Sequence, residues 1–342
     1  MRSATRGGCL GSWAGLSLPS VCLSALVVWG LIPSAASSDV ADPAPTRVFL
    51  WEVTPPSSAP AAADPSPEET EGSAGTLYIL GATHVGRSAI EGFDPVIESA
   101  FERSEALAVE ADLVATEDPG FQRFLMDVGQ IQDGSKLEQW ISPEVRQSLE
   151  RALTERGMRS DAFEHFEPWL VALMLSGDAL SRFGYLPTYG MGRYFVERGR
   201  SRPIVELEGA RPQIEALDRM EPDVQQVMLQ EALDGLWNLD ARLQQIAALW
   251  SAGDAEGLEA LLFHASATSP QRERFFEQMY FDRNRGMADR LEDPLRHGQV
   301  WFAIVGAGHV VGDQGLPALL AHRGYRVRQL VGTSGVAAQR AP

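Results

Sequence analysis

Two histidines about 225 residues apart close nearly the same phrase. Leu77-Tyr78-Ile79-Leu80 leads into Gly81-Ala82-Thr83-His84-Val85, and Val300-Trp301-Phe302-Ala303-Ile304-Val305 leads into Gly306-Ala307-Gly308-His309-Val310. Imidazoles ligate divalent cations and move protons near neutral pH, so a repeated histidine context suggests one site served from two places. Carboxylates recur in a comparable position. Ala106-Leu107-Ala108-Val109 ends on Glu110, and Pro203-Ile204-Val205 runs through Glu206 and Leu207 to Glu208. If these four runs are neighbouring strands, His84, His309, Glu110 and Glu208 converge on one cleft, as a site of two histidines and one or two carboxylates requires.

Each of these residues also has a plainer use. A lone loop histidine usually caps a helix or faces water, and only the repetition separates His84 and His309 from His165, His264, His297 and His322, which read as surface residues. Glutamate after a strand usually faces solvent. Glu206 and Glu208 share a face, so spacing does not choose between them, and Asp112 competes with Glu110. Arg283 is more pointed. In a helix opened by Pro270 it falls in line with Phe276, Met279, Met287 and Leu291, and a guanidinium on an apolar stripe needs a partner. Arg283, with Asn284 beside it, is expected either to reach a carboxylate or substrate carbonyl at the site or to snorkel at the edge of the stripe. Trp169 is expected to pack a helix start, with a cleft wall as the other reading.

The elements that must hold these groups are legible from periodicity. Strands are expected at Arg47–Val53, from Leu77, at Ala106–Val109, from Pro203, at Val300–Val305 and at Tyr325–Leu330. Between the third and fourth, a large insert at about residues 119–200 has helical spacing. Further helices are expected at 224–250, 254–263 and 270–291. The expected class is therefore α/β, a central mixed sheet with a large helical insert, in one domain over residues 47–332. Residues 54–75, rich in Pro, Ala, Ser and Glu, read as a flexible loop between the first two strands, and residues 333–342 as a disordered tail.

The N-terminus resembles an export signal: Arg2 and Arg6, an apolar stretch from about Leu16 to Ile32, then small residues with a cleavage point near Ala36. Residues 37–46 read as a disordered linker. An exported, periplasmic or extracellular protein is expected, with an uncleaved membrane anchor as the alternative. Cys9 and Cys22 both lie in the leader, which excludes disulfides and thiolate chemistry from the mature chain. A net charge of -17 argues against a nucleic-acid partner. There is no Gly-x-Ser-x-Gly elbow, no His-Glu-x-x-His helix and no phosphate loop.

Taken together, several of these segments resemble the TraB/GumN family, which includes the Tiki proteins. The resemblance runs from Phe49 to about Leu330. It rests on Leu80 to Gly86, Val109-Glu110-Ala111-Asp112, Pro168-Trp169-Leu170, Leu207-Glu208 with Gln213, Arg283-Asn284, and Val305 to Val310 with Gly312 and Gly315. Ala82 and Gly308 depart from the usual pattern without removing a polar ligand. The resemblance implies a fold akin to the erythromycin-esterase and ChaN-like proteins. It also implies a metal-dependent peptidase like Tiki, which prefers manganese or cobalt; the cofactor expected here is a divalent cation, manganese, cobalt or zinc.

Two functions follow as expectations. In the first, an exported metallohydrolase acts on a peptide or protein. His84, His309 and Glu208 hold the divalent cation, Glu110 is the general base, and Arg283 with Asn284 serves the developing oxyanion. The two glutamates are interchangeable on sequence grounds. In the second, the same cleft belongs to a non-catalytic protein that binds or sequesters peptides.

Overall fold

The computed structural model describes residues 47–56, 75–263 and 269–333. The expected leader, linker, most of the loop after the first strand, and the tail lie outside the described residues.

Six strands form one mixed sheet: β1 Arg47–Thr54, β2 Thr76–Ala82, β3 Ala106–Val109, β4 Ile204–Glu206, β5 Val300–Gly306 and β6 Arg326–Val331. Their order across the sheet is β4-β3-β5-β2-β1-β6. The four strands β4, β3, β5 and β2 run parallel, whereas β1 lies antiparallel to β2 and β6 antiparallel to β1. Burial explains the composition. β2 and β5 are buried at every position after the first, the pattern of strands covered on both faces, and they read as unbroken apolar runs. β4, at one edge, is only three residues long and largely exposed.

Helices fill the long connections. Pro119–Val128 and Pro143–Glu155 open on Asp118 and Ser142 side chains that accept backbone N–H bonds, with proline in the first turn of each. Pro168–Arg182 is buried along most of its length and holds Trp169 fully inside. Met191–Arg198 follows it. The expected 224–250 helix is instead two, Pro222–Gly235 and Leu239–Ser251, broken where Gly235 and Asn238 weaken helical backbone. An unexpected helix, Ala210–Asp218, begins directly after Glu208 and Gly209.

The helix starting at Pro270 carries Arg283. Pro270–Phe276 passes into a π-helical segment, Glu277–Phe281, and continues as Asp282–Arg296, beyond the expected end. A π turn inserts extra backbone into an α-helix and shifts the face that later residues present. Phe276, Met279, Met287 and Leu291 are all buried, so the apolar stripe holds on both sides of the insertion.

Candidate functional site

The four parallel strands deliver four side chains to the same end of the sheet. His84 follows β2, Glu110 follows β3, Glu208 follows β4 and His309 follows β5. Ligand sites in α/β sheets form outside the carboxyl ends of parallel strands, where the chain leaves the sheet for a helix. β2 and β5 are direct neighbours, with Ala82 opposite Gly306, so the two Gly-x-x-His turns lie side by side. One cleft is lined by His84, Glu110, Arg283, Gly306 and His309, together with Tyr280.

Glu110 sits between the histidines. His84 Nε2 lies 3.7 Å from its Oε1 and His309 Nε2 lies 3.7 Å from its Oε2. The backbone N–H of Gly306 donates to Oε1 at 2.5 Å. A Cβ on Gly306 would lie 3.0 Å from His84 Nε2 and 3.3 Å from Glu110 Oε1, so glycine is what allows this close approach.

Arg283 joins the two glutamates. Its Nη2 donates to Glu110 Oε2 at 2.8 Å and to Glu208 Oε2 at 2.7 Å, and its Nε donates to Glu208 Oε1 at 2.9 Å. Nη1 donates to the Met279 carbonyl at 2.9 Å, and Gln213 Nε2 donates to Glu208 Oε2 at 3.0 Å. The guanidinium is thus held by charged and backbone partners and does not snorkel. Asn284 does not enter this network. It is fully buried, and its Nδ2 donates to the Gln314 carbonyl at 2.7 Å. That bond turns Oδ1 toward His309 Nδ1, 2.6 Å away, so Nδ1 carries the proton and Nε2 presents its lone pair to the cleft. Glu206 is used elsewhere, accepting the Asp112 backbone N–H at 2.5 Å.

Electrostatics follow from burial and neighbours. Burial alone would raise the Glu110 carboxyl. His309 when protonated, the His84 contact and the Arg283 guanidinium outweigh it and hold that carboxyl well below the ordinary range. Burial lowers His309 to about 4, against the opposing pull of Glu110, so its ring is neutral at neutral pH. Burial would also lower Arg283, but Glu208 and Glu110 raise it, and the guanidinium stays charged. Tyr280, whose ring centroid lies 5.3 Å from that of His309, is pushed up to about 12 by burial and remains a hydroxyl donor.

Among the described residues, no group of three or more His, Cys, Asp and Glu side chains is arranged as a ready-made metal site. The donor chemistry still suits a cation. Each imidazole Nε2 lies 3.7 Å from an oxygen of Glu110, and two ligands of one ion at about 2.1 Å each lie about 3.4 Å apart at a tetrahedral angle. Glu208, the carboxylate expected to ligate, has both oxygens engaged by Arg283 and one also by Gln213.

Sequence reasoning did not find Tyr280, the Gly306 N–H or the Gln314 carbonyl. Tyr280 reads as one more core aromatic beside Phe275 and Phe276, and backbone groups leave no mark on side-chain spacing. Trp169 is buried at its helix start, with Nε1 donating to Glu167 at 3.1 Å, and is not part of the cleft wall. His165, His297 and His322 are exposed, and His264 lies outside the described residues.

No curated protein and no solved structure matches the chain. The sequence profile of the TraB/PrgY/gumN family matches residues 69–329, a span that includes His84, Glu110, Glu208, Arg283, Asn284 and His309. The chain belongs to the TraB/PrgY/gumN family.

Proposed function

We propose that this protein is an exported, metal-dependent hydrolase of peptide bonds. The observation that carries this reading is the placement of His84 Nε2 and His309 Nε2, each 3.7 Å from a different oxygen of Glu110, at the carboxyl end of a parallel sheet. His84 and His309 would hold a divalent cation, manganese, cobalt or zinc. When bound, such a cation supplies Lewis acidity that polarises a carbonyl and acidifies water. Glu110 faces both imidazoles, so it is the carboxylate suited to share the cation or to accept a proton from attacking water. Glu208 is committed to Arg283 and Gln213, which assigns it to aiming the guanidinium rather than to ligation.

The charge on Arg283 and the hydroxyl of Tyr280 offer favourable electrostatics to negative charge developing on a substrate oxygen. Asn284 fixes the His309 ring through Nδ1, the kind of outer contact that orients a ligand histidine. Export rests on the apolar leader, and kinship with the erythromycin-esterase and ChaN-like folds on the family resemblance.

Hydrolysis of a peptide library is the test, with protein loaded with manganese, cobalt or zinc and with protein in chelator. Cleavage should require metal and fall at least about a hundredfold in His84→Ala and in His309→Ala. Cleavage that survives both substitutions overturns the proposal. Peptide binding indifferent to chelator and without turnover would replace it with a sequestering role.

A further inference from the structure

Beyond the polar cluster the cleft changes character. Its lining also includes Leu113 and Val114, from the loop after β3, and Pro187, Gly192 and Val196, from the loop and helix that follow Pro168–Arg182. Leu113, Val114 and Val196 are only partly buried although they are apolar. The charged groups at this end are already paired. Arg193 Nη1 donates to Glu117 at 2.6 Å and its Nε to Glu197 at 2.8 Å, and Asp112 Oδ1 accepts the Val114 N–H at 2.9 Å. Among the described residues lining the cleft, Arg193 and Arg283 are the cations and both are ion-paired, and Arg193 with Glu117 and Glu197 carries one excess negative charge.

Gly192 is the informative residue. Three glycines line the cleft, and two are tight: a Cβ at Gly306 would lie 3.0 Å from His84 Nε2, and one at Gly308 would lie 2.8 Å from Tyr280 Cε1. A Cβ at Gly192 would meet nothing within 4 Å. Gly192 lies in the first turn of the helix Met191–Arg198 and is not among the glycines with positive φ. Neither backbone conformation nor neighbouring atoms require glycine there, and helix propensity disfavours it. Its missing side chain leaves open space at a residue that lines the same cleft as the candidate catalytic groups.

We infer that this volume is a specificity subsite that receives one uncharged apolar side chain of a peptide substrate, with Gly192 keeping it open. The inference rests on the hydrolase reading for the identity of the ligand as a peptide. Burying a leucine or phenylalanine side chain against such walls should favour binding by about tenfold or more over a charged side chain.

The test uses the full chain and the capped pentapeptides Gly-Gly-X-Gly-Gly, with X as Leu, Phe, Ala, Glu or Lys. Affinity is read by calorimetry in chelator, and cleavage separately with manganese-loaded protein. The Leu and Phe peptides should bind at least about tenfold more tightly than the Glu and Lys peptides. Gly192→Leu should erase that preference while keeping the thermal midpoint, because its side chain enters open space. Val114→Lys, a second variant in the apolar lining, should turn selectivity toward the Glu peptide. Equal affinity for all five peptides, or no measurable binding of any, overturns the inference. So does a preference left intact by both variants. Apolar preference without cleavage would leave the subsite standing and sink the hydrolase, whereas cleavage indifferent to X would do the reverse.

Discussion

Glu110 is placed where three demands meet, since two imidazoles, a guanidinium and a backbone N–H all address one carboxylate. Replacing it with glutamine keeps the volume but removes the charge. Arg283 would then rely on Glu208 alone, and breaking part of a buried ion network costs up to about 3 kcal/mol. Glu110→Gln should therefore lower stability in urea melts and, on the hydrolase proposal, reduce metal-loaded peptide cleavage by at least about a hundredfold. Acid should act on the same cluster. His309 titrates near 6.5 when unfolded and at about 4 when buried, so the unfolded chain binds the proton first as pH falls. The metal-free protein should lose about 3 kcal/mol between pH 6.5 and 4, with the depressed Glu110 carboxyl adding to the loss below pH 4.5. His309→Gln should flatten the upper part of that profile, and an unchanged profile would discount the imidazole as its source. Repetition made the two histidines visible in the sequence, and an arginine on an apolar stripe made Arg283 visible. The different partners of Glu110 and Glu208 were not, because they depend on where Arg283 and Gln213 arrive in space.

At the scale of elements, the site depends on β5, which lies between β3 and β2 and places the His309 turn beside the His84 turn. Gly306 ends that strand with room for no side chain. Gly306→Ala should displace His84 or Glu110 and cut activity by more than about tenfold, while circular dichroism and melting show an intact fold. Wild-type activity in this variant would mean that the close packing at Gly306 is dispensable. Long apolar strands and proline-led helices were readable because composition and periodicity state them directly. Ala210–Asp218 was hidden by its shortness, and the split after Gly235 by an apolar period that continues across it. The π turn at Glu277–Phe281 has no sequence period to announce it. It matters nonetheless, because it sets the face on which Arg283 and Asn284 appear.

Across the whole molecule, the family match begins at residue 69, after β1. In the sheet, β1 is an inner strand that pairs with β2 on one side and β6 on the other, with Phe49 and Leu50 fully buried. A chain beginning at residue 69 would lose β1, detach β6 and open the edge of β2. Such a chain should aggregate or melt without cooperativity, whereas one that retains Arg47–Thr54 should not; light scattering and urea titration would distinguish them. The α/β class was legible because strand and helix periods alternate along the chain. The position of β5 was not, since nothing local to Val300–Gly306 names its neighbours.

That position also imposes a schedule on folding. β3 and β2 are joined only through Val300–Gly306, which lies between them, so neither the sheet nor the cleft can close before that late segment is available. A chain that lacks this segment should therefore have no assembled cleft.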